Sequence, residues 1–145
     1  MDVGRIRGWA WSVANKLIEA ERGDTRTLDR FMMDLRCANL PHEFTNAIAN
    51  NMTVFKRAGV DVGEIPHELQ YFSSVTEFKE AKAIIIATFH NTQITWNCVV
   101  ERLRKEKIKE LSDEDIKRIA DECYVKPEFV QIVISTLKGG YFERR

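Results

Sequence analysis

The residues of this chain best suited to catalysis or metal binding are three histidines, three cysteines and one acidic triplet, and none of them is spaced for the task. His42 and His67 fall beside Pro41 and Pro66, and His90 lies in a polar stretch, His90-Asn91-Thr92-Gln93. There is no His-x-x-x-His or Cys-x-x-Cys pair, the spacings that bring two ligands onto one helix face or one tight loop. The seven glycines fit neither the dinucleotide-binding nor the phosphate-loop pattern, and no Gly-x-Ser-x-Gly elbow is present. Asp113, Glu114 and Asp115 cluster at a helix start, where the helix dipole favours negative charge. The expectation is a protein that is not an enzyme and uses no metal, no cofactor and no small-molecule substrate. Cys37, Cys98 and Cys123 cannot all pair within one chain. Their wide spacing predicts three reduced thiols that pack as small apolar groups in a reducing compartment.

Three features could serve binding instead. Arg102, Arg104, Lys105, Lys107 and Lys109 put five cations within eight residues. They could contact phosphate or an acidic protein surface, or simply form a solvated helix end complementing the dipole. Trp9 and Trp11 stand about 200° apart on a helix and cannot both face one core. One of them can be exposed or cover a flanking groove, which makes Trp11 a candidate anchor for a partner; a peripheral core position explains the spacing as well. Residues 115–137 resemble a helix-turn-helix, with Ala120 where the helices approach, Val125 in the turn, and Val130 and Val133 seating the second helix. The turn position that usually carries glycine is Tyr124. The second helix, 126–138, offers mainly Gln131, Ser135 and Thr136 for reading bases. Two crossed core helices explain the same spacing.

These side chains must be positioned by helices, because every apolar pattern in the chain repeats at three and four residues. Ile6, Trp9, Val13, Leu17 and Ala20 define a first helix over about 5–22, with Gly23 as its stop. Asp24 reads as the N-cap of a second helix carrying Leu28, Phe31, Met32 and Leu35. Pro41 opens a third, lined by Phe44, Ala47, Ile48, Phe55 and Ala58 and ended by Gly59. Residues 60–72 are a connection containing Pro66. Ser74 and Glu77 form a capping box before a long pattern through Phe78, Ala81, Ile85, Phe89, Trp96, Val99, Val100 and Leu103. Residues 90–93 are expected to break it, because about 35 unbroken helical residues are unusual in a compact domain. Ser112 with Asp115 caps the next helix, Pro127 begins the last, and Gly139-Gly140 ends it before a frayed tail. The predicted fold is all-α, a four-helix-bundle-like core over 1–110 with an additional C-terminal helix pair and tail over 111–145 in the same domain.

With 145 residues the chain is long enough for one self-sufficient core. Lys plus Arg balances Asp plus Glu at 22 each. That excludes the basic character of a wholesale nucleic-acid binder, although DNA remains a possible partner through a local face. The longest apolar run, 83–87, is far below the roughly 20 residues of a membrane span. The N-terminal stretch also lacks the apolar centre of a signal peptide, so no membrane partner and a cytoplasmic location are expected.

At Ile65-Pro66-x-Glu68, followed by Glu77 and by Ala81-Lys82-Ala83, the chain resembles a small viral family. That family comprises the virion protein of a two-tailed virus of thermoacidophilic archaea and its relative, the viral RNA-polymerase inhibitory protein. The similarity covers roughly residues 5–110. It implies a four-helix-bundle core. For the inhibitor it implies binding in the DNA-binding channel and clamp of the host archaeal RNA polymerase, so that transcription initiation is repressed in the host cytoplasm. For the virion relative it implies a structural or DNA-packaging role. The alternatives are DNA binding by the C-terminal helix pair, or a small helical subunit of a nucleoprotein complex. No binding residue carries over from the motif, whose members read as structural.

Overall fold

Asp2, Ser74 and Ser112 start three helices by the same chemistry, a side-chain oxygen accepting an amide that the first turn cannot use internally. Asp2 Oδ1 accepts from Arg5 N at 3.1 Å, Ser74 Oγ from Glu77 N at 3.1 Å and Ser112 Oγ from Asp115 N at 3.2 Å. In this computed structural model, which describes residues 1–106 and 111–138, they open α1 (Val3–Ala20), α4 (Val75–Glu106) and α5 (Asp113–Glu122). Pro41 opens α3 (Pro41–Arg57), and Glu43 reaches back to accept from Leu40 N at 2.9 Å. With α2 (Arg26–Cys37) and α6 (Pro127–Lys138) these are the helices of the described residues, which contain no strand. The fold is an all-α helical bundle.

Three helices end in the same way. The residue after the cap turns left-handed, and the next amide reaches back to the carbonyl five residues earlier. Gly59 does this after α3 at φ 81°, where glycine has no steric penalty. Arg22 after α1 (φ 55°) and Tyr124 after α5 (φ 58°) adopt the same conformation with side chains attached. Gly23 N bonds to Ile18 O at 2.8 Å, Val60 N to Phe55 O at 2.9 Å and Val125 N to Ala120 O at 2.9 Å. The sequence assigns the α1 stop to Gly23, but Arg22 makes the left-handed turn.

α4 is the spine of the bundle. It packs most extensively on α1, then on α2, with α3 closing the layer. Phe31 of α2 meets Phe89 of α4 edge-on at 5.0 Å and Phe55 of α3 at 5.7 Å. Phe44, Phe72 and Phe78 form a second aromatic cluster at the other end. α5 and α6 pack against each other and against α4. Ile119, Ala120, Val130, Val133 and Leu137 are fully buried and continue the same core. Leu137 lies so close to Gly23 that a Cβ there would sit 2.8 Å from its Cδ2, so the α1–α2 turn seats the end of α6.

Three expectations need correction. First, α4 is unbroken over 32 residues. The hydroxyls of Thr88, Thr92 and Thr95 bond to the carbonyls of Ile84, Thr88 and Asn91 at 2.7–2.8 Å, inside the helix. Thr92 and Gln93 are buried, and Gln93 Nε2 donates to Asp29 of α2. The polar stretch is thus a seam between helices, where tertiary contacts override weak propensity. Second, the cysteines are not three free thiols. Cys98 and Cys123 form a disulfide with Cα atoms 6.0 Å apart, and only Cys37 is free and exposed. The half-buried Cys98 of α4 and the Cys123 cap of α5 are 25 residues apart in sequence but are brought together by helix docking. Third, Asp24 lies one residue before the N-cap position of α2, Thr25. It accepts from Arg26 N at 2.9 Å and holds the Arg26 guanidinium at 2.6 Å. The Gly139-Gly140 stop and the tail lie outside the described residues.

Candidate partner-binding groove

Trp9 and Trp11 divide as their angular separation requires. Trp9 is 8% exposed and belongs to the core, whereas Trp11 is 57% exposed. Trp11 stands at the wall of an open groove of about 940 Å³. Ala83, Ile84 and Ala87 of α4 supply the floor, and Phe129 and Ile132 of α6 the opposite wall. The floor arises from the 83–87 run. Ile85 alone turns fully inward, Ile84 and Ile86 are half-buried, and Ala83 and Ala87 face solvent. An apolar run wider than one core stripe leaves its surplus on the surface.

The groove is keyed to the core by buried polar contacts. Asn15, one turn after Trp11, donates its amide N–H to the Trp11 carbonyl at 2.8 Å. Its amide oxygen accepts the indole N–H of Trp96, which is fully buried. Trp96 in turn meets Phe129 edge-on at 5.5 Å. Both walls therefore rest on one buried indole.

A second, shallower cavity of about 380 Å³ adjoins the groove and shares Ala83 and Ala87 with it. Arg36, Lys79, Lys82 and His90 surround it. Lys82 Nζ donates to the carbonyls of Arg36 at 3.1 Å and Ala38 at 2.6 Å, satisfying the orphan acceptors at the end of α2.

The cation cluster sits elsewhere. Arg102 pairs with Glu122 of α5 at 3.0 Å, and Lys105 with Glu101 at 3.5 Å. Arg104 faces the α1–α2 turn beside Gly23 and Asp24. Arg118 of α5 pairs with Glu106, Asp115 and Glu122, and the Glu106 bond above all raises its pKa. Of the described cluster, Arg102 thus joins α4 to α5, while Lys105 pairs within α4 and Arg104 faces the α1–α2 turn. Lys107 and Lys109 lie outside the described residues. Trp11 is not grouped with these cations: Arg102 lies seven residues beyond Thr95, roughly 10 Å further along α4.

The α5–α6 pair has the expected register. Ala120, Val130 and Val133 are fully buried, Val125 is half-buried, and Tyr124 makes the left-handed turn while 95% exposed. Gln131 and Ser135 face outward, whereas the Thr136 hydroxyl is spent on the Ile132 carbonyl at 2.8 Å. His42 and His90 are exposed or at the surface of their helices, and His67 stacks near Tyr71 at 5.5 Å. Among the described residues no group of three or more His, Cys, Asp or Glu could hold a metal ion, and no helix is long and apolar enough to cross a membrane.

Sequence reasoning missed Ala83, Ala87, Phe129, Ile132 and Asn15 as groove residues. The five-residue apolar run was the available signal, but the α6 wall depends on how the helix pair docks. The fold and groove define an all-α bundle with an open apolar cleft. Comparison with known protein families, curated proteins and solved structures finds no match to this chain.

Proposed function

We propose that this chain is a viral inhibitor of archaeal RNA polymerase, binding in the enzyme's DNA-binding channel and clamp and repressing transcription initiation. The observation carrying this reading is the groove walled by exposed Trp11 on a bundle of zero net charge. Binding of that kind works through shape and a buried aromatic anchor. A mimic of DNA would need strongly acidic character, which the balance of 22 cations and 22 anions lacks.

The resemblance motif supports the same reading through its structural roles. Pro66 leads into a short 3-10 turn, His67–Leu69, and Glu68 pairs with Arg5 of α1 at 3.3 Å. Glu77 accepts from Ser73 N at 2.9 Å at the start of α4, and Lys82 ties α4 to the end of α2.

The test is binding to purified archaeal polymerase without DNA. Wild type is expected to bind. Trp11→Ala is expected to weaken binding by about tenfold or more, as for a buried aromatic hot spot. Wild-type protein that fails to bind at micromolar excess contradicts the proposal.

DNA or virion-scaffold binding through α5 and α6 is the second reading. It is favoured by the helix-turn-helix register of Ala120, Tyr124, Val130 and Val133. Its signature is duplex affinity that falls steeply with salt.

A further inference from the structure

The cations that stand out in the sequence and the cations around the groove are in different electrostatic states. Arg102 and Lys105 are each held by a carboxylate of this chain. Among the described residues, Arg7, Arg36, Lys79 and Lys126 have no carboxylate within 4.0 Å. These four cations border the apolar strip of the two adjoining cavities, Arg7 and Lys126 on the groove side and Arg36 and Lys79 on the other. With Lys82 they make five cations against one lining carboxylate, Glu128. In a chain neutral as a whole, the charge lining this apolar strip is predominantly positive.

We infer that the strip centred on Ala83 and Ala87 docks an amphipathic helix with an acidic flank, presented by the protein partner. The shape suits a helix. Ala83 and Ala87 are one turn apart and have the smallest side chains that leave an apolar surface, so a second helix can approach closely. From Ala83 to Thr95 the floor extends about 18 Å, a little over three helical turns. Trp11 and Ile132 flank it as exposed apolar contacts. Apolar residues of the partner would cover the alanines, and its carboxylates would meet Arg7, Arg36, Lys79 and Lys126. This rests on the polymerase reading only for the partner's identity; the chemistry of the docking segment comes from the groove.

The probe is a synthetic helical peptide of about 18 residues with leucines along one face and glutamates elsewhere, compared with a peptide carrying lysines in place of the glutamates. Fluorescence anisotropy with the full chain is expected to show the acidic peptide binding at least about tenfold more tightly than the basic one, with the difference shrinking as salt rises. Ala87→Glu places a good helix former at a solvent-facing position, so the fold should be retained by circular dichroism while acidic-peptide binding is lost. Lys79→Glu should weaken that binding and leave the melt unchanged.

Equal or tighter binding of the lysine peptide overturns the inference, as does no binding of either at millimolar concentration. A concentration-dependent dimer abolished by Ala87→Glu assigns the strip to a second copy and overturns it as well. So does competition of duplex DNA for the strip with loss on Lys79→Glu. Polymerase binding that survives Ala87→Glu, with acidic-peptide binding lost, removes the strip from the polymerase interface and leaves the inhibitor reading standing. Peptide binding as expected with no polymerase binding contradicts that reading and leaves the groove chemistry standing.

Discussion

The indole N–H of Trp96 on α4 donates to the amide oxygen of Asn15 on α1 at 2.8 Å, and the same amide donates onward to the carbonyl of Trp11. Trp96 is fully buried and Asn15 nearly so. A buried hydrogen bond is worth little net, but an orphaned partner is costly. Asn15→Leu is therefore expected to destabilise the fold by about 1–3 kcal/mol in urea denaturation. Combined with Trp96→Phe, it should cost less than the sum of the single changes, with a coupling of about 0.5–3 kcal/mol. Strict additivity would show that the pair does not interact.

The Cys98–Cys123 disulfide fastens α5 to α4 beside the Arg102–Glu122 pair. Closing a loop with a sequence separation of 25 stabilises by about 3.5 kcal/mol in the chain-entropy account. Reduction should lower the melting temperature, and Cys98→Ser should reproduce the effect. Alkylation of the unfolded but unreduced chain should modify Cys37 alone. Three alkylated thiols would contradict the pairing.

Much of the fold was legible because local chemistry and global packing agree along most of the chain. The Ser112–Asp115 box, Pro41 at the head of α3 and Gly59 at its end each act within a few residues of themselves. Residues 90–93 mislead because propensity alone speaks against His, Asn and Thr in a helix, whereas the buried faces of Thr92 and Gln93 are set by α1 and α2. The disulfide was illegible for a related reason, since a separation of 25 residues carries no pairing signal until α5 is docked. Of the candidate site, the division between Trp9 and Trp11 followed from helical geometry. The α6 wall and the pairing of Arg102 with Glu122 required the tertiary structure.

Tyr124 holds a left-handed conformation at φ 58° that a side chain adopts at a steric cost. Tyr124 is almost fully solvent-exposed, so little packing opposes its removal. Tyr124→Gly is expected to leave the melting temperature unchanged or raise it, a gain of about 1 kcal/mol or less. A marked loss of stability would mean that the tyrosine ring makes a contact the turn depends on.

Asp24, Glu77 and Asp115 all have lowered pKa values. The leading causes are hydrogen bonds from the Arg26 side chain, the Ser73 hydroxyl and the Ser112 hydroxyl respectively. A carboxylate with a lowered folded pKa contributes stability that is present above its unfolded pKa and lost as pH falls through the folded value. The starts of α2, α4 and α5 should therefore weaken below roughly pH 4, the unfolded carboxylate range. Melts between neutral pH and pH 3 should show that loss. The triple variant Asp24→Asn, Glu77→Gln, Asp115→Asn should give a flatter profile, and an identical profile would exclude these caps as the source.

Polymerase inhibition is tested most directly by promoter-directed transcription with purified archaeal polymerase and its basal initiation factors. Titrating this protein is expected to abolish transcript in a dose-dependent way, with Trp11→Ala requiring a higher concentration for the same effect. Undiminished transcript at micromolar excess of the wild-type protein would contradict the inhibitor reading.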